Sequence, residues 1–321
     1  MRPTGTASTA GGAMANKTKG TPIDGWLALD KPYGMTSTQA VNRVKVQLRP
    51  RKIGHGGTLD PLATGLLPIA LGEATKTVAY VMDAPKTYRF TVRWGQATDT
   101  DDAEGAVVAT SEARPDDAAL AAALPRFEGV IDQVPPMYSA IKVAGERAYD
   151  IARAGGAPEL PARSVTLHAL RLLHRDDADH ATFECVGGKG FYVRSLARDL
   201  GHALGVPAHL AALRRTRVGG FAEADMISLD AFDALGHSDD ALSRIQSVET
   251  ALDDIPALAL TGTEANRLRN GQSVSLLRRA NLDLLRELEN GDVVCAKTGG
   301  RAIALARFES GDIHPVRVLN L

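Results

Sequence analysis

Thr87 to Trp94 alternates strictly. Tyr88, Phe90, Val92 and Trp94 fall on one side; Thr87, Arg89, Thr91 and Arg93 fall on the other. Period two marks a strand half buried in a sheet. Upstream, Trp26-Leu27-Ala28-Leu29 is a short apolar run that predicts a buried strand ending at Lys31-Pro32. Thr36 and Gln39 are spaced as a capping box. Val41, Val44 and Leu48 follow at helical intervals, and Pro50 stops the helix. A second apolar run, Leu66 to Leu71, leads to a helix predicted near Glu73. Asp116 to Leu124 is Ala-rich and helical, ended by Pro125; Gly145 to Ala154 predicts another helix, with Gly155 at its end. Val165 to Leu173 and Thr182 to Val186 predict strands, and Leu196, Leu200, Ala203 and Leu204 a helix closed by Gly205. Past about residue 230 the pattern changes. A polar, Asp-rich connection reaches Ile255-Pro256, and short strand-like runs follow, split at Asn270-Gly271, Asn290-Gly291, Gly299-Gly300 and Ser310-Gly311. Helices and strands mix without regular βαβ alternation, so the expected class is α+β with a largely antiparallel sheet. The expected division is a tail over 1–22, a main domain over 23–250 and a small, mostly β module over 251–321.

Composition narrows the picture. A chain of 321 residues suggests two domains, and 44% hydrophobic content can fill a substantial core. The net charge is −1, so no global field draws the protein to a polyanion and any such site must be a local patch. Two basic clusters qualify: Arg43, Lys45, Arg49, Arg51 and Lys52, then Arg194, Arg198, Arg214, Arg215 and Arg217. Solvated helix faces are the ordinary source of such clusters. Two cysteines, Cys185 and Cys295, lie far apart, against a disulfide scaffold or a Cys-based zinc site. The first twenty residues carry no apolar core of a signal peptide, and no apolar run approaches membrane-spanning length. A cytoplasmic protein without membrane contact is expected.

Chemistry concentrates in Gly54-His55-Gly56-Gly57-Thr58-Leu59-Asp60-Pro61-Leu62-Ala63-Thr64-Gly65. Pro61 pushes the backbone of Asp60 toward extended geometry. A single carboxylate on a Gly-rich loop is a candidate nucleophile or general base. On local grounds a tight turn, with the Asp bonding its own backbone, is the commoner reading. Asp99-Thr100-Asp101-Asp102 lacks the spacing of a Ca²⁺ loop, so a solvated acidic turn is expected there rather than a metal site. Gly187-Gly188-Lys189-Gly190 is not a P-loop, and no GxSxG, HExxH or CxxC occurs. Tyr192 and Arg194 sit two apart, on one face of an extended segment. An arginine there would favour an ionised carboxylate nearby; a surface arginine capping the next helix is the alternative. Tyr88 is equally open to simple core packing.

Taken in order, these motifs resemble the TruB family, the tRNA pseudouridine-55 synthases. Lys31-Pro32 with Gly34, Thr36 and Ser37 comes first, then the Gly54–Gly65 loop and Gly72-Glu73-Ala74-Thr75-Lys76. Tyr88-Arg89, Thr98-Asp99-Thr100, Pro135 to Lys142, Lys189-Gly190 with Tyr192 and Arg194, and Leu213-Arg214-Arg215 complete the set. The resemblance is strong over about residues 24–230, and the last part resembles the small PUA-like module of the bacterial members. It implies a pseudouridine synthase-like fold and Asp60 as the catalytic carboxylate. Three roles stay open for Asp60: attack on the base, attack on the sugar C1′, or removal of a sugar proton. Arg194 would partner Asp60, and Tyr88 would stack on the target base and assist loss of the C5 proton. Tyr192 and Leu213 would line the base pocket, His55 would fill the space of the flipped nucleotide, and Lys31 would bind substrate. Both basic clusters would grip phosphates of the tRNA T arm. No cofactor, metal or obligatory protein partner is implied, and a monomer is expected. One position departs from the family: Gly56 stands where Thr is usual. A non-catalytic RNA-binding or tRNA-folding factor would keep the patches without needing Asp60, and a Mg²⁺-dependent hydrolase would instead be built on Asp99 to Asp102.

Overall fold

The computed structural model describes residues 20–139, 141–143, 145–148, 151, 154, 156, 160–276 and 287–321. Strand β1 (Gly25–Lys31) is buried along nearly its whole length. Helix α1 (Ser37–Leu48) starts with the reciprocal cap between Thr36 and Gln39 and buries Ala40, Val44 and Leu48 as one stripe. It ends one residue before the proline, at Arg49, whose φ of 48° turns the chain. Next come β2 (Ile53–His55) and β3 (Ala63–Leu71). The helix expected near Glu73 divides into a 3₁₀ turn, Gly72–Lys76, and α2 (Val78–Asp83). Strand β4 (Lys86–Trp94) buries Phe90, Val92 and Trp94, the face its alternation predicts.

Beyond β4, β5 (Gln96–Thr98) and β6 (Val107–Thr110) form a hairpin. Helix α3 (Asp117–Ala123), capped by Asp116, leads through a turn at Pro125 to β7 (Gly129–Gln133). Where a helix is expected from Gly145, β8 (Lys142–Val143) pairs instead with β9 (Glu146–Arg147). Most of the remainder of that helix, with Gly155, lies outside the described residues. Strands β10 (Arg163–Arg175) and β11 (His180–Gly187), helix α4 (Val193–Ala203), β12 (Ala208–Val218), β13 (Phe221–Ala222) and β14 (Ile227–Ser228) complete the main body.

Ten of these strands form one sheet ordered β14-β1-β3-β12-β4-β11-β10-β7, with β2 on β3 and β13 on β12. Pairing is antiparallel except for β1 with β14 and β3 with β12. Strand β12, which the sequence pattern does not predict, occupies the centre between β3 and β4. Helix α4 buries Leu196 and Leu200 in the same cluster as Phe90, Trp94 and Phe183.

The C-terminal module is a second sheet of β15 (Ala257–Ala259), β16 (Val274–Ser275), β17 (Val293–Thr298), β18 (Arg301–Glu309) and β19 (Asp312–Val318). Gly299-Gly300 and Ser310-Gly311 join its hairpins, as their turn chemistry predicts. It also holds a helix, Gly262–Arg269, opened by a second capping box at Thr261 and Glu264 that the strand-like pattern does not predict. The module does not stand apart. Cys295, Leu305 and Leu319 share one core with Trp26, Leu66, Val81, Phe221 and Leu252. Lys76 Nζ donates to the Val318 carbonyl at 2.8 Å, and Asn320 N donates to Glu73 Oε2 at 2.8 Å.

Candidate active site

The loop between β2 and β3 is tied down at nearly every backbone position. Gly56 N donates to the Pro68 carbonyl at 2.8 Å. The Ser37 hydroxyl brackets Leu59, accepting from its N–H at 2.8 Å and donating to its carbonyl at 3.0 Å. Gly34 N donates to the Pro61 carbonyl at 2.8 Å, and Ala63 N to that of Asp60 at 3.1 Å. Leu59 and Leu62 are both buried, in different core clusters on either side of Asp60. Each is worth about 1.5–3 kcal/mol of burial, so the loop cannot rotate Asp60 away without exposing one of them. Gly65 makes close approach possible where the loop enters the sheet. Its φ is 95°, and a Cβ there would lie 2.3 Å from the Arg215 carbonyl oxygen.

Asp60 is left with its side chain 39% exposed and Oδ2 at 2.9 Å from Arg194 Nη2, while Arg194 itself is only 5% exposed. Arg194 is therefore not the surface cap that its position at the start of α4 allows. Its Nη2 also donates to the Tyr138 carbonyl at 2.9 Å and its Nη1 to that of Thr100 at 3.3 Å. Asp102 is the second anion beside it, with Oδ2 at 3.6 Å from Nη1. Burial pushes the Asp102 carboxyl up, against the Thr100 hydroxyl and Arg194, which pull it down. Asp101 pairs with Arg198 at 2.9 Å. Asp99 is exposed in a turn, as expected, but Asp101 and Asp102 are not solvated: they are the anionic backing of two arginines on α4, and among the described residues no group of three or more His, Cys, Asp or Glu side chains is placed to hold a metal.

Among the other expected site residues, Tyr88, Tyr192 and Lys31 lie close enough to feel the charge of Asp60. Tyr88 on β4 is half-buried and lies directly across the strand pair from Arg215; burial pushes its pKa up. Tyr192, preceding α4, is held at both backbone groups by Gln133, at 2.8 and 3.0 Å. Leu213 on β12 is half-buried, opposite Ala63 and Phe90 and between two core clusters. His55 closes β2; burial, then the charge of Arg215, hold it below the ordinary imidazole pKa. Lys31, expected at the substrate, is fully buried. Its ammonium donates to the carbonyls of Pro32, Met35 and Pro61 at 2.9, 2.6 and 3.3 Å, and burial lowers its pKa to about 8. It anchors the loop from inside and presents no face to a ligand.

The two basic clusters separate. Lys45, Arg49, Arg51 and Lys52 are exposed, and no ion pair takes them up among the described residues, whereas Arg43 pairs with Asp233. In the second cluster Arg194 and Arg215 are buried and Arg198 is paired. Arg214 grips Asp30 with two bonds of 3.0 and 2.9 Å and reaches Glu223 at 2.6 Å. The expectation that this whole cluster holds phosphates is corrected for four of its members, whose charges are engaged inside the protein; Arg217 is exposed, bonded to the Gly219 carbonyl at 3.0 Å and in no ion pair among the described residues.

Known proteins share this architecture. A chain from a crystal structure of a Cbf5-Nop10-Gar1 complex superposes with TM-score 0.70 at 26% identity, covering 95% of this chain and 91% of that one. A chain from an H/ACA RNP bound to a substrate RNA containing 2′-deoxyuridine gives 0.69 at 24% identity, over 96% and 92%. The fold is that of the pseudouridine synthases. The family model described as TruB family pseudouridylate synthase (N terminal domain) matches residues 45–193, and that of the tRNA pseudouridylate synthase B C-terminal domain matches 194–253. Proteins named tRNA pseudouridine synthase B from Rhodospirillum rubrum and Caulobacter vibrioides are each 52% identical over 96% of this chain and their whole length. The one from Gluconacetobacter diazotrophicus is 56% identical over 94% of this chain and 99% of its own. This chain belongs to the TruB family.

Proposed function

We propose that the chain is an isomerase that converts uridine 55 in the T loop of tRNA to pseudouridine, with Asp60 as the reacting carboxylate. The observation that carries this reading is the Asp60–Arg194 pair: a carboxylate open to solvent on one side and fixed at 2.9 Å by a buried guanidinium on the other. The reaction breaks the N1–C1′ bond, turns the base and forms a C5–C1′ bond, and the C5 hydrogen leaves as a proton. It is redox-neutral and transfers no outside group, so these side chains suffice without a cofactor. Asp60, Tyr88 and Arg194 are the catalytic set. His55, Tyr192 and Leu213 shape the pocket for the flipped base, whose unstacking costs a few kcal/mol. Lys31 supports the loop from behind. Residues 23–250 carry the chemistry and 251–321 add RNA contact surface. The exposed Lys45, Arg49, Arg51 and Lys52 grip T-arm phosphates. The protein acts as a monomer, in the cytoplasm, without a protein partner; among the described residues no helix is long and apolar enough to cross a membrane.

Tritium release from tRNA labelled at uridine C5 tests the proposal. The wild-type chain should release tritium without added metal. Asp60→Asn should bind the same tRNA and release essentially none. Normal turnover by the Asn variant sinks the mechanism, and binding without release by the wild type points to an RNA-folding factor instead.

A further inference from the structure

Arg215 is a charge with no part in the reaction as drawn so far. It is 1% exposed, lies on β12 at the centre of the sheet, and sits directly between Gly65 on β3 and Tyr88 on β4. Among the described residues no carboxylate forms an ion pair with it. Its Nε donates to the Leu66 carbonyl at 2.8 Å, Nη2 to that of Gly57 at 3.0 Å and Nη1 toward that of Thr58 at 3.5 Å, and Tyr88 lies directly opposite it on the neighbouring strand. A buried cation without a counter-ion is costly, and arginine cannot escape by losing its proton. Burial leads, and Arg215 adds, in lowering Lys31 on β1 and Lys86 on β4 to about 8, and it lowers His55 on β2 as well. Cys185 faces Tyr88 from β11, and Asp60, the nearest carboxylate in the loop, is engaged by Arg194.

Arg215 and Tyr88 are directly opposite on adjacent strands, which sets the charge of the guanidinium beside the phenol. We propose that Arg215 is a positioning residue for the reaction: it fixes the Gly57–Thr58 stretch leading to Asp60 and holds a positive charge beside Tyr88. This rests on the reading of Asp60 and Tyr88 as the reaction centre. The same contact makes Tyr88 more acidic than burial alone would leave it.

The two effects separate by sign. In the full chain labelled with ¹³C at the tyrosine Cζ, and with Tyr88→Phe to assign its resonance, Arg215→Met should raise the Tyr88 midpoint by about one unit or more, because the cation is lost while burial persists. A merely structural role would let water in and move the midpoint down toward the free value. The same variant should slow single-turnover tritium release at least tenfold with tRNA affinity unchanged. An unchanged or lowered Tyr88 midpoint overturns the proposal, as does weaker binding with an unaltered rate. Arg215→Lys keeps the charge and guards against a Met variant that fails to fold: its Tyr88 midpoint should stay within about half a unit of wild type, and a larger shift in either direction overturns the proposal. If the wild type releases no tritium the functional reading fails, while the titration still decides whether Arg215 governs Tyr88.

Discussion

Val81 packs where a threonine side chain at position 56 would lie. A Cβ built on Gly56 falls 2.4 Å from Val81 Cγ1 and 3.1 Å from its Cβ. The glycine is therefore demanded by α2 and not by the loop's chemistry, and the departure from the family motif has a local cause. Gly56→Thr should destabilise the protein by about 1–3 kcal/mol through overpacking, read from urea denaturation, and Val81→Ala in the same chain should restore most of it. A Thr variant as stable as wild type would contradict this account. Asp60 and Arg194 are legible in the sequence because their motifs are distinctive. The buried state of Lys31 and Arg215 is not, because a cation on carbonyl oxygens reads in one dimension just as a solvated one does, unless its distant partners are known.

At the scale of elements, α1 and β4 follow from their periodicity, and β12 does not. Its run His209-Leu210-Ala211-Ala212-Leu213-Arg214-Arg215-Thr216-Arg217 is broken by irregularities at Leu210/Ala212 and Arg215/Arg217, each of which resets the inward face. Its arginines then pass for a surface cluster. The opposite holds for the end of α1, where the charges do reach solvent. Reversing two of them, Arg49→Glu with Lys52→Glu, should weaken tRNA binding and flatten the slope of log affinity against log salt by about 0.9 for each phosphate no longer neutralised. Filter binding over a salt series checks this, and chemistry at saturating tRNA should be unaffected.

For the whole molecule, the shared core of Trp26, Phe221, Leu305 and Leu319 means that the module and the main body stand or fall together. Trp26 and Phe221 pack with ring centroids 5.4 Å apart at the heart of this contact. Calorimetry should give a single cooperative transition whose calorimetric and van't Hoff enthalpies agree. Two resolved transitions would place a boundary where the packing has none.

The central place of β12 also dictates a schedule for synthesis. Arg215 closes on Leu66 across 149 residues of sequence. At 5–20 residues per second a ribosome takes roughly 7–30 s to make that stretch. Once β4 is complete at Trp94, β3 and β4 have both been made, yet the strand that joins them has not. The nascent chain therefore carries two unpaired strand edges, and its Asp60 loop lacks the guanidinium that fixes it. Such edges invite pairing with other chains. No fragment ending before residue 218 can bring β12 between β3 and β4 with the Asp60 loop fixed by Arg215.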